Sequence, residues 1–238
     1  MSCGHSQCPF FDLHAEPGKI SEAERNCIVA DAIQKVTFKK DEIIFLQGQP
    51  STRLYSVSSG LVKICTHSPD GWEQIVGLSG PGKLLVGLQS INEERYAYTA
   101  IALTPVKACE ISDRALLDHA ENNSIVAMCL VEAMNAQLAH SRALVEVMGH
   151  KFAAAKIASL IMLMTPKSQH GECCFGGPFS RTDMAGLLGL SEETVCRLMA
   201  EMQRGGAIKA PRGRIKVCDW SKLEAISEGT HSGGEVKH

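Results

Sequence analysis

The hydrophobic period of this chain changes near Asn123, and that change confines it to a β part followed by a helical part. From Val36 to about Glu110 the apolar residues fall in short β-branched runs: Glu42-Ile-Ile-Phe-Leu, Leu54-Tyr-Ser-Val, Gly60-Leu-Val-Lys-Ile-Cys, Gln74-Ile-Val-Gly-Leu and Val106-Lys-Ala-Cys-Glu-Ile. Gln47-Gly-Gln-Pro, Ser58-Ser-Gly, Ser68-Pro-Asp-Gly and Gly80-Pro-Gly-Lys separate them with tight-turn chemistry. Short strands at this spacing predict an antiparallel roll or sandwich. A helix is expected before it, from Ser21 to Ala32.

After Asn123, Val131, Met134, Leu138, Ser141, Val145, Met148 and Phe152 recur at alternating steps of three and four, the seam of a helix packing lengthwise on another helix. A homodimer is one reading of that seam. The other is the buried face of a helix lying on its own domain. Helical character continues from Phe152 to Met164 and stops at Thr165-Pro166, where proline removes a donor and disfavours helix before it.

At 238 residues, one large domain or two modest ones are expected. Hydrophobic residues at 45% and charged residues at 21% exclude a disordered or fibrous chain. No apolar run reaches membrane-spanning length and no basic flank or apolar segment opens the chain, so no membrane partner and a cytoplasmic location are expected. In a reducing compartment the ten cysteines point to sensing, metal binding or packing rather than disulfides. The net charge of −2 hides an asymmetry: residues 1–150 carry 12 Lys/Arg against 17 Asp/Glu, residues 151–220 carry 10 against 6. A basic module beside an acidic one suits a nucleic-acid reader coupled to another domain.

The segment from Phe179 to Asp219 names that reader. Ser180-Arg-Thr-Asp-Met-Ala-Gly-Leu-Leu starts a helix, Gly189 breaks it, and Ser191 restarts it as an N-cap, with Val195, Leu198, Met199 and Met202 on one apolar face. This is a helix-turn-helix. Ala207-Ile-Lys, Arg212-Gly-Arg and Ile215-Lys-Val-Cys then make two short strands about a basic turn, a wing. The expected architecture is α+β: residues 1–35 a cysteine-containing segment and helix, 36–122 a jelly-roll-like sensory β-roll, 123–150 a dimerisation helix, 151–226 a winged helix-turn-helix and 227–238 a disordered tail.

A second helix with exposed side chains near its N-terminus can enter the major groove, where every base pair shows its own donor and acceptor pattern. Glu192, Glu193, Cys196 and Arg197 occupy that face. Arg197 can reach guanine O6 and N7 with two parallel hydrogen bonds, and Glu193 can accept from a cytosine amino group or hold the arginine. Thr182 and Ser191 at the helix starts are further DNA-binding candidates, while Arg181, Lys209, Arg212 and Arg214 would meet phosphates and set register. No nucleophile paired with a base, phosphate-cradling glycine loop or His-Glu-x-x-His appears, so no enzyme activity is expected. The alternative is a redox or metal-binding protein whose helix-turn-helix only docks proteins.

From roughly Val36 to Val217 these residues resemble the CRP/FNR family of bacterial transcription regulators, its FNR-type, oxygen- or redox-responsive members above all. Gly189-Leu-Ser-Glu-Glu-Thr-Val-Cys-Arg is similar to the FNR-type recognition helix, whose Glu-x-x-Ser-Arg reading residues fall on Glu193, Cys196 and Arg197, with cysteine in the serine's place. The resemblance implies a palindrome with TTGAT-like half sites. Asp70-Gly-Trp-Glu-Gln-Ile-Val-Gly-Leu and Gly82-Lys-Leu-Leu-Val-Gly resemble the family's central hairpin, which implies contact with RNA polymerase, and the start of its effector pocket. Cyclic-AMP-binding members supply a glutamate after the pocket glycine and an Arg-Ser pair for the phosphate. Here Leu88 follows Gly87 and Tyr96 follows Arg95, which argues against cyclic nucleotides and leaves Arg95 to an ion pair.

The resemblance also implies a sensor. Pro105-Val-Lys-Ala-Cys109-Glu-Ile is similar to the strand that supplies one ligand of an iron–sulfur cluster in FNR-type members, and Cys3 and Cys8 stand where further ligands of a [4Fe-4S] cluster would come from. Cys27, His5 or Asp12 would have to complete the set. Haem held by His67, His140 or His150 is an alternative, as is direct oxidation of Cys196 beside Arg197; a chain with no cofactor is a third. Cys65, Cys129 and Cys218 are expected to be packing residues, and Cys173-Cys174 a loop. Ser141 replaces a charged residue that repels its twin in FNR-type dimer helices, which implies a more permanent dimer.

Overall fold

The computed structural model describes residues 33–68, 70, 73–85, 95–165, 179–211 and 215–229, without the side chains at 84, 85, 125 and 129. They fold as two compact units, residues 1–140 and 141–238, with the division inside one long helix. The expected helix over 21–32 lies outside the described residues, as does the expected tail of 227–238 beyond 229; Ser227 itself ends a helix, Trp220–Ser227.

The first unit is a roll of two four-stranded antiparallel sheets. Strands β1 (Ile33–Phe38), β8 (Val106–Ser112), β3 (Arg53–Ser59) and β6 (Leu84–Leu85) form one sheet; β2 (Ile43–Phe45), β7 (Thr99–Ala102), β4 (Val62–His67) and β5 (Glu73–Ser79) form the other. Side chains alternate across a strand, so Phe45, Tyr55, Val57, Val62, Ile64, Tyr96, Val106 and Ala108 meet between the sheets. Leu54 and Ile111 emerge on the other face of the first sheet and pack under Leu116 and Val126. Gly60, at φ 95°, turns β3 into β4 so close to the start of β8 that a Cβ there would collide with the Pro105 carbonyl oxygen.

Leu116 belongs to a helix the hydrophobic pattern does not reveal, α1 (Asp113–Asn122), whose only fully buried residue it is. Helix α2 (Ser124–Gly149) follows. Its inward residues are Val126, Ala133, Leu144 and Val147, while Val131, Met134, Leu138, Val145 and Met148 are 38 to 63% exposed and Ser141 is exposed with them. The seam is therefore not the helix's buried face within the chain.

In the second unit, α3 (Ala153–Met164), α4 (Arg181–Leu188), α5 (Glu192–Arg204), the antiparallel pair β9 (Ile208–Lys209) and β10 (Lys216–Val217), and α6 (Trp220–Ser227) enclose one core. Ile157, Leu160 and Ile161 of α3 are fully buried there with Met184, Met199, Ile208 and Leu223. This is a winged helix-turn-helix with an additional closing helix. Helix α6 is not evident from the sequence pattern; Asp219 starts it by accepting a hydrogen bond from the Lys222 N–H at 3.0 Å. Cys218 corrects an expectation: it is exposed, because β10 ends at Val217 and alternation turns the next side chain outward.

Candidate nucleic-acid interface

Two caps aim the helix-turn-helix. Ser180 accepts from the Asp183 N–H at 2.9 Å and Ser191 from the Thr194 N–H at 3.2 Å, each satisfying a donor that a helix start leaves open. Between them Gly189 takes the left-handed conformation at φ 64°, where its N–H and that of Leu190 both return to the Ala185 carbonyl. A left-handed cap ends α4 sharply and lets α5 leave at a new angle.

On α5 the apolar stripe of Val195, Leu198, Met199 and Met202 is buried, which turns the opposite face to solvent. Glu193, Cys196 and Arg197, at relative positions i, i+3 and i+4, share that outward face. Arg197 pairs with Glu201 at 2.9 Å, one turn on, and not with Glu193, so the arginine is held by the following turn. At an exposed site such a pair is worth about 0.3–0.5 kcal/mol, little enough to exchange for a base.

Glu192 points elsewhere. Its carboxylate accepts from the Thr182 hydroxyl at 3.0 Å, a tie between the exposed first turns of α4 and α5. Arg181 opens α4 half-buried, and Lys209 and Lys216 are exposed on the two wing strands. Arg212 and Arg214, expected at the wing's turn, lie outside the described residues.

The sensory candidates divide differently. Tyr96 is buried, its ring stacked on Phe45 at a centroid distance of 4.2 Å, and its hydroxyl donates to the Arg53 carbonyl at 2.9 Å. Burial pushes its phenol above the ordinary value. Arg95 makes no ion pair among the described residues; it donates to the Gly48 carbonyl at 2.7 Å. Gly87 and Leu88 lie outside the described residues.

Of the cluster candidates, Cys3, Cys8 and Cys27 lie outside the described residues, as do His5 and Asp12. Cys109 is buried on β8, on the strand face opposite the one that carries Val106 and Ala108 into the core, with its Sγ 3.9 Å from the Ser58 hydroxyl. A cluster normally takes four thiolates. Cys109 would be one of those ligands, and the residues proposed to complete the set all lie outside the described ones.

Each haem candidate has a polar neighbour. His140 contacts the Leu78 carbonyl at 3.1 Å through Nε2, His150 contacts the Ser159 hydroxyl at 2.9 Å, and His67 lies 3.7 Å from the Glu73 carboxylate. Burial lowers the His140 pKa, partly offset by the Leu78 contact. Cys196 is exposed, whereas the Cys65 thiol is pushed up to about 12 by burial and by the neighbouring Glu73 carboxylate, which keeps it protonated. Cys173 and Cys174 lie outside the described residues, as does the Cys129 side chain. Among the described residues no helix is long and apolar enough to cross a membrane.

Comparison with known proteins matches two separate stretches of the chain, one on either side of the long helix. Residues 35–123 match the cyclic nucleotide-binding domain and residues 155–226 the Crp-like helix-turn-helix domain. The transcriptional activator protein anr of Pseudomonas aeruginosa is 28% identical over 82% of this chain and 81% of its own length. The nitrogen fixation regulation protein FixK of Bradyrhizobium diazoefficiens is 28% identical over 82% of each. In fold, the chain is similar to FixK2 from Bradyrhizobium japonicum, with a TM-score of 0.71 at 22% identity over 82% of this chain and 96% of that one.

Proposed function

The chain belongs to the CRP/FNR family of transcription regulators, and from that premise we propose that it works as a homodimer reading a palindromic operator with TTGAT-like half sites. The observation that carries the reading is the outward face of α5, where Glu193, Cys196 and Arg197 stand together on a helix whose other side is locked in the core. Two such helices one turn of DNA apart require an inverted repeat. Arg181, Lys209, Arg212 and Arg214 supply phosphate contacts that position the helix without choosing sequence. Thr182, Ser191 and Glu192 act at one remove, by setting the start and angle of α5.

The exposed stripe of Val131, Met134, Leu138, Val145 and Met148 supports the dimer, since contiguous apolar surface at coiled-coil spacing suits a second copy. The effector is an oxygen or redox signal rather than cyclic AMP, because Tyr96 is spent on stacking and a backbone hydrogen bond where the family's nucleotide binders keep a serine. A [4Fe-4S] cluster on Cys109 and the N-terminal cysteines, haem, and oxidation of Cys196 are the three chemical routes. RNA polymerase is the protein partner the family implies.

Footprinting on genomic fragments, under aerobic and anoxic handling, tests the reading. A protected inverted repeat that disappears in Arg197→Ala, with salt-dependent nonspecific binding retained, is expected; no protected repeat in either condition removes the proposal. Leu138→Glu is expected to convert the dimer to monomer in gel filtration at micromolar concentration. The visible spectrum and the iron and sulfide content of protein purified without oxygen separate cluster, haem and thiol.

A further inference from the structure

One group of chemistry-bearing side chains belongs neither to the reading head nor to the expected cluster. Val62 and Ile64 face the core between the sheets, so Lys63, Cys65 and His67 line the opposite face of β4. The antiparallel register sets Glu73 of β5 directly across from His67, and a register shift after Ile64 pairs Cys65 with Ile75. The Glu73 carboxylate then leans between the two: its Oε2 lies 3.6 Å from the Cys65 Sγ and 3.7 Å from the His67 Nε2. All three donor atoms lie within 4.8 Å of one another.

Those spacings have a chemical meaning. With zinc–sulfur, zinc–nitrogen and zinc–oxygen bonds of about 2.0–2.3 Å, neighbouring ligands at a tetrahedral ion stand about 3.3–3.5 Å apart. The two separations from the Glu73 oxygen need to contract by a few tenths of an ångström, and the Cys65–His67 separation, within 4.8 Å, closes by rotation of the part-exposed His67 ring. We propose that Cys65, His67 and Glu73 form a binding site for a borderline divalent transition-metal cation of the Zn²⁺ class, with a water in the fourth position.

Thiolate, imidazole and carboxylate together suit such an ion and not Mg²⁺ or Ca²⁺, which take all-oxygen sets. The part-exposed His67 and Glu73 side chains form the entrance, and the buried Cys65 the floor. Lys63 already holds the other Glu73 oxygen at 2.7 Å, which leaves Oε2 turned toward the ion in the way that outer hydrogen bonds orient ligating carboxylates. As the sulfur–metal bond forms, the thiol proton passes to buffer. The bound ion would clamp the two strands of the β4–β5 hairpin beside its turn.

Co²⁺ titration of the reduced full-length protein tests the site. One equivalent is expected to give tetrahedral visible bands and a sulfur-to-cobalt charge-transfer band, both displaced by Zn²⁺. His67→Ala and Glu73→Gln, whose side chains are part-exposed and whose circular dichroism is expected to be unchanged, should each weaken binding by about tenfold or more. Cys65→Ser should abolish the charge-transfer band. A chain with Cys3, Cys8, Cys27 and Cys109 all replaced by serine should retain it. Loss of the band in that chain, an unchanged band in His67→Ala and Glu73→Gln, or no cobalt bound at all, each overturns the site.

Discussion

The β-roll and the winged helix use polar and aromatic chemistry in opposite ways. In the winged helix the informative side chains, Glu193, Cys196 and Arg197, are exposed, while an aliphatic stripe holds the helix down. In the roll the aromatic and thiol side chains are turned inward: Tyr96 stacks on Phe45, Phe45 stacks on Tyr55, and Cys109 lies buried beside Ser58. A reader of a large, external, charged surface must present its donors. A buried aromatic stack holds a sheet sandwich together by close packing, because protein interiors do not tolerate an empty apolar site without cost.

The largest effect that sharpens this contrast is Phe45→Ala. Removing a 4% exposed ring from the aromatic stack is expected to destabilise the roll by about 3–5 kcal/mol. Calorimetry should show the roll's transition moving while the winged helix's stays. Equal movement of both would break the separation of the units. Next in size is Arg197→Ala, expected to cost roughly 1–3 kcal/mol in specific DNA binding by fluorescence anisotropy, with melting nearly unchanged because the Glu201 pair it loses is exposed.

Smaller still is Ser191→Ala, which deletes the cap of α5 and is expected to cost about 0.5–2 kcal/mol, confined to the winged helix's transition. The least effect comes from acid. Because burial lowers the His140 pKa, the folded roll binds fewer protons there than the unfolded chain. That contribution is present above the free histidine value of about 6.5 and is lost as pH falls below it. The roll's midpoint should therefore fall between pH 7.5 and 5.5, and less steeply in His140→Gln. The winged helix's midpoint provides the internal control.

The elements legible in the sequence are those with many buried positions per turn or strand. Strands β2, β3, β4, β5 and β8 alternate strongly or are apolar throughout, and α5 repeats its stripe over 13 residues. Helices α1 and α6 escape notice because each commits a single residue, Leu116 or Leu223, to full burial, too few to show a period. The same limit applied to chemistry. Cys65-x-His67 is visible as a spacing, but Glu73 joins it only through the hairpin register. Glu192 reads from sequence as a base-facing residue, and only the approach of α4 brings Thr182 within hydrogen-bond reach of it.

By its order alone the chain determined the β-to-helix change near Asn123, the capped helix-turn-helix and the apolar stripe on α2, since these follow from local propensity and periodicity along the backbone. Tertiary structure alone decided that the stripe faces outward, that Arg197 rests on Glu201, and that Cys65, His67 and Glu73 converge. Those outcomes depend on which strands pair and at what register, or on which face of a helix the rest of its unit covers, and neither is written in the spacing of neighbours along the chain.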